Sequence, residues 1–148
     1  LAVPGIDYIH IGLNDLHLGY NKTFMFELLA NGIVESIINK VKAKDICCGF
    51  GGIAQIGQGV LPAELIIGEH YRLGSSMAIL SRSFCHVGRS KDIYHITRTF
   101  EEGVKAIREF EAVLQNKEAS YFERNRRLVC EKVKQIVNSI ETKKGGAI

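Results

Sequence analysis

No excess of charge, no metal-type cysteine spacing, no phosphate-cradling loop and no long apolar run marks this chain, and each absence closes off a class of function. The 19 basic and 16 acidic side chains leave a net charge of only +3, too small to argue for a polyanionic partner. The densest basic cluster, Arg124, Arg126 and Arg127, has no aromatic platform beyond Tyr121 and Phe122. It reads as a solvated helix face, and nucleic acid is not expected as a partner. The four cysteines, Cys47, Cys48, Cys85 and Cys130, show no C-x-x-C spacing and no paired histidine motif. Adjacent Cys47 and Cys48 would point to opposite faces of a strand, which makes them poor joint ligands for one zinc. All four read as reduced thiols of a cytoplasmic protein. No G-x-x-x-x-G-K-[ST] occurs, so the chain carries no P-loop. Leu1-Ala2-Val3-Pro4 has neither a basic lead-in nor an apolar core, so neither a signal peptide nor a membrane-spanning start is expected.

What is present is a chain of 148 residues, 46% hydrophobic, able to bury one sizeable core. Pro4-Gly5 opens and Gly12 closes a β-branched and aromatic run, Ile6 to Ile11, which reads as a short parallel strand. Thr23 is placed to cap a helix over Phe24 to Leu29, which Asn31-Gly32 stops. Ile33, Ile37, Ile38 and Val41 line one face of a second helix, Ile33 to Lys42. A second strand follows at Ile46 to Phe50 and runs into Gly51-Gly52. Pro62 then opens a helix ending at Gly74, and Met77 to Leu80 form a third strand. Alternating strands and helices with short connections imply right-handed parallel crossovers, an α/β unit. From Asp92 onward the pattern is purely helical. Two long amphipathic helices are expected, Ile93 to Leu114 and Phe122 to Ile140, with a polar break near Asn116.

The residues with chemistry to offer lie just past the strands. Asn14 and Asp15 follow the first strand, at the edge where open α/β sheets bind ligands. A carboxylate there suits a hard divalent cation, although a lone Asp after Gly also caps turns. Gly51 and Gly52 follow the second strand and would let backbone amides approach an anion. Arg82, after the third strand, could grip a carboxylate or phosphate. His17 sits close behind Asp15, where a local hydrogen bond is the plainer reading. Glu69 and His70 are adjacent on one helix and splay apart, so an ion pair to a neighbouring element suits them better than metal binding.

The segment Ile9-His10-Ile11-Gly12-Leu13-Asn14-Asp15-Leu16 resembles a signature of the HpcH/HpaI aldolase and citrate lyase family, hydrophobic-hydrophobic-G-P-x-D-L. M-F-E-L-L, G-F-G-G-I-A and E-H-Y-R-L-G-S-S extend the likeness, over roughly Leu1 to Val87. Leu13 departs from it, standing where the family usually has proline. The resemblance implies a partial (β/α)8 TIM barrel: three C-terminal βα units over residues 1–90, then a helical tail over 91–148 that mediates oligomerisation. A closed barrel takes about 250 residues, so this would be roughly half of one. It implies a metal-dependent carbon–carbon lyase acting on 2-oxo acids through a pyruvate enolate. Asp15 would be one ligand of Mg²⁺ or Mn²⁺, and Gly12, Leu13 and Asn14 would hold the substrate. The second acidic ligand, the arginine and the histidine of that machinery find no counterpart here, so the chain alone is expected to be inactive. Two other readings compete. One is a phosphate- or flavin-binding barrel that uses Gly51-Gly52 and Ser81-Arg82. The other is a non-catalytic interaction module. Open sheet edges and the apolar faces of the tail helices lead to a further expectation, a homo-oligomer with tail helices packed across a two-fold axis.

Overall fold

The computed structural model describes residues 4–85 and 92–145. Leu1 to Val3, Val87 and the 90/91 boundary between barrel units and tail lie outside the described residues. The order of elements is β1 (Tyr8–Ile11), α1 (Leu13–Gly19), α2 (Glu27–Ala30), α3 (Ile33–Lys42), β2 (Cys47–Ile53), α4 (Ala63–Leu73), β3 (Met77–Leu80), α5 (Ile93–Leu114) and α6 (Ala119–Gly145).

The three strands form one parallel sheet in the order β1-β2-β3. Among the described residues no further strand pairs with β1 or β3, so both outer edges are free. This corrects the barrel expectation. Closing a barrel requires strands all the way round, tilted and staggered in a fixed register. Three strands with two free edges and six helices make a small open α/β sheet, not part of a (β/α)8 TIM barrel.

Strand alternation sorts the side chains. The register Ile9↔Cys48 and Ile11↔Phe50 places these four on one face, where Ile11, Cys48 and Phe50 are buried. That face is covered by α3, through Val34, Ile38 and Val41, and by α4, through Ile66, Ile67 and Leu73. Tyr8 and Cys47 alternate to the other face and are exposed, as is Ile79 of β3.

Between Gly49 and Gly52, β2 advances three residues while β3 advances two, from Met77 to Ile79. The extra residue is a β-bulge. Gly51, with φ +55°, supplies the left-handed backbone that a side chain would resist. The strand therefore continues through the glycines to Ile53, three residues beyond the Phe50 end expected from the sequence.

The tail folds back on the rest of the chain. Helix α6 packs against α4 and α2, burying Asn125, Val129 and Val133. Asn125 Nδ2 donates to the Leu65 carbonyl at 2.9 Å and to Glu69 Oε1 at 3.0 Å. The approach is close enough that a Cβ on Gly68 would stand 2.7 Å from Asn125 Cγ. Glu69, almost wholly buried, also accepts from Arg72 Nε at 2.9 Å, and Arg72 bridges on to Glu35 of α3 with bonds of 2.9 and 3.2 Å. The Arg72 guanidinium beside it holds the Glu35 carboxyl below the usual range. A buried carboxylate persists only with such partners.

Candidate functional site at the carboxyl edge of the sheet

Because the strands are parallel, everything that follows them emerges at one edge. This edge carries Gly12 to Asp15 after β1, Gln55 after β2 and Ser81 to Ser83 after β3. Asp15 is not in a loop. It is the third residue of α1, in the first turn, where a carboxylate also favours the positive end of the helix dipole. It is exposed and enters no ion pair among the described residues. Its Oδ2 bends back over Gly12, 3.7 Å from where a Cβ would stand there.

Asp15 and Gly12 line an open groove of about 590 Å³, together with His10, Tyr20 and Ile37. Burial holds the His10 imidazole below its ordinary pKa, so it faces the groove neutral at physiological pH. His17 Nδ1 lies 3.1 Å from the Leu13 carbonyl, one helical turn back. It is not part of the groove lining.

The other residues singled out in the sequence divide sharply. Asn14 is exposed, but the Leu13 side chain is buried in the core. Leu13 Cδ1 lies 2.9 Å from the position a Cβ on Gly51 would take, with Phe26 at 3.7 Å on the same spot. Gly51 is small because Leu13 packs there and because the bulge needs its φ. The Gly51-Gly52 pair thus belongs to strand and core, which leaves the phosphate and flavin reading without its cradle.

Arg82 is exposed in the turn after β3 and, like Asp15, enters no ion pair among the described residues. That turn is held from both sides. Gln55 donates its backbone N–H to Ser83 Oγ at 3.1 Å and its Nε2 to the Ser83 carbonyl at 2.8 Å, while Ser81 and Ser83 hydroxyls meet at 2.9 Å. The Gln55 clamp was not apparent in the sequence, where a single Gln after a glycine run carries no signal. Two strand spacings, about 10 Å, separate the β1 and β3 ends. Asp15 and Arg82 therefore share an edge without touching.

No cluster of three His, Cys, Asp or Glu side chains able to hold a metal occurs among the described residues. The donor set at the groove is one carboxylate. It suits a hard cation such as Mg²⁺ that keeps most of its water, and it does not suit a caged transition metal. Compared with protein-family models, with characterised proteins and with solved structures, the chain matches none.

Proposed function

We propose that this chain contributes the carboxylate side of a ligand site for small 2-oxo acids, in a carbon–carbon lyase that uses Mg²⁺ or Mn²⁺. The observation that carries the reading is an unpaired carboxylate, Asp15, and an unpaired guanidinium, Arg82, at the carboxyl edge of one parallel sheet, where ligands of open α/β sheets bind. The motif Gly12-Leu13-Asn14-Asp15-Leu16 supports the reaction class. Asp15 would hold the cation. When bound, the cation supplies positive charge to the oxygen on which negative charge builds as a carbon–carbon bond breaks. Gly12, with no side chain, leaves the floor of the groove open to the substrate, and exposed Asn14 stands at its entrance. Arg82 attracts the substrate's carboxylate to that edge. Neutral His10 adds no charge to oppose Asp15. With one acidic ligand and no second, the chain on its own is expected to bind without turning over.

Two further readings accompany this proposal. A homo-oligomer is supported by the exposed Ile93, Tyr94 and Phe100 of α5 and by the bare sheet face at Tyr8 and Ile79. A cytoplasmic location is supported by four free thiols. Among the described residues no helix is long and apolar enough to cross a membrane.

Paramagnetic NMR tests the site directly. Titrating Mn²⁺ should broaden the amide signals of Gly12 to Leu16 selectively, and added pyruvate should shift the Arg82 side-chain signal. Asp15→Asn should abolish the broadening, since a neutral amide is a poor ligand for these cations. Uniform broadening, or an unchanged pattern in the variant, would overturn the assignment.

A further inference from the structure

The helices seal the covered face of the sheet at β2 but not at β3. Cys48 and Phe50 are buried, whereas Ala78 and Leu80 of β3 are only half-buried. The gap is a cavity of about 330 Å³ between β3, α4 and α5, with none of the residues of the Asp15 groove in its lining. Ala78, Leu80 and Ile107 make it largely apolar, and His70 of α4 forms part of its wall.

His70 is 5% exposed, and its ring stacks flat on Phe50, with centroids 3.8 Å apart and planes 3° from parallel. Its Nδ1 lies 2.8 Å from Ser75 Oγ. That hydroxyl has one hydrogen, and the carbonyl oxygens of Cys48 and Met77 both stand 3.3 Å away as acceptors. Giving the hydroxyl hydrogen to a carbonyl leaves the oxygen to accept from the ring, so the imidazole proton belongs on Nδ1. Nε2 is then a bare acceptor. It is buried and has no hydrogen-bond partner, the one such side-chain atom among the described residues. Burial, then the nearby His10, lowers the His70 pKa to about 3, so the ring is neutral at physiological pH and offers nothing to an anion. A buried acceptor left unmet is costly, and buried polar groups are normally paired.

We propose that the cavity between α4, α5 and β3 binds a small, uncharged, largely apolar molecule carrying one hydroxyl, whose O–H donates to His70 Nε2. The cavity volume falls at the lower end of small-molecule sites, which are mostly apolar with a few placed polar groups. The hydroxyl distinguishes this occupant from a pure hydrocarbon, because only a donor relieves the unmet acceptor.

The experiment uses phenol and toluene on the full chain, with ¹⁵N-labelled histidine side chains observed by NMR. Phenol is expected to bind saturably, to move the His70 Nε2 resonance toward the hydrogen-bonded range, and to bind at least tenfold more tightly than toluene. Ala78→Leu, which grows a side chain into the cavity from the strand, is expected to remove that binding. Equal affinity for the two probes, a fixed Nε2 resonance, or phenol binding that survives Ala78→Leu overturns the proposal. The phenol–toluene comparison needs no variant and decides the matter even if Ala78→Leu does not fold.

Discussion

Helices α5 and α6 are both long and amphipathic, yet one is docked and the other half bare. Helix α6 buries Asn125, Val129 and Val133 at four-residue steps against α4 and α2. Helix α5 buries Gly103, Ile107 and Leu114, while its first two turns expose Ile93 and Tyr94, and Phe100 is 43% exposed. Apolar content does not explain the difference. Helix α6 has a complement: the missing side chain of Gly68 admits Asn125, which meets the Leu65 carbonyl and Glu69. A stripe of apolar residues makes a helix willing to dock, and a matching surface decides where it does so.

Glu69→Ala should break this contrast most severely. It removes the acceptor shared by Arg72 and Asn125, and stranding buried donors, one of them charged, costs about 3–5 kcal/mol. Urea unfolding measures the loss. Amide exchange should show α6 opening early, and α5 opening before α6 would contradict the idea that Glu69 anchors the docked helix.

Acid should weaken the same helix, α4, by a smaller amount. His70 is kept neutral in the fold, with its pKa lowered from 6.5 to about 3. The unfolded ring takes up a proton below its ordinary pKa and the folded ring does not, so stability present above pH 6.5 is lost as pH falls toward 3. Between pH 7 and 5 the loss is about 2 kcal/mol. Glu35, with its pKa lowered, releases its contribution below that window. His10, also lowered, acts in the same direction as His70. The quantity to measure is therefore the difference in pH slope between the natural chain and His70→Phe. Equal slopes would mean that His70 is not held neutral by the fold.

The smallest effect on stability belongs to the bare end of α5. Ile93→Ser with Tyr94→Ser should change unfolding free energy by no more than about 0.5 kcal/mol each, as exposed substitutions do. Light scattering should nonetheless show the proposed oligomer falling toward monomer. A natural chain already monomeric on dilution would remove α5 as an interface.

Much of the fold was legible because it is local. Helix α3 and strand β3 occupy the ranges expected from periodicity, as does α5, and Pro62 and Gly74 flank α4. Shorter-range errors have identifiable causes. The helix expected from Phe24 begins at Glu27, because Glu27 Oε1 turns back to accept from the Thr23 and Phe24 amides at 2.8 and 3.0 Å, in place of a Thr23 cap. Asp15 was read as a loop residue because Gly12 ends β1. The chain instead turns straight into α1, where Leu13 finds the space beside Gly51.

Sequence alone determined the alternation of strands and helices, the parallel sense of the sheet, the carboxyl edge as the place where Asp15 and Arg82 emerge, and the amphipathic tail. Those properties depend on residues a few positions apart, whose spacing and turn chemistry act before any long-range contact forms. Tertiary structure decided that the sheet stays open with two free edges, and that Gly51 serves a bulge and a leucine. It also decided that Asn125 reaches across 56 positions to Glu69, and that His70 is sealed over Phe50 with Nε2 unmet. Each is a matter of shape and polar pairing between surfaces far apart in the chain, and a side chain's partner there is chosen by whatever space the rest of the fold leaves beside it.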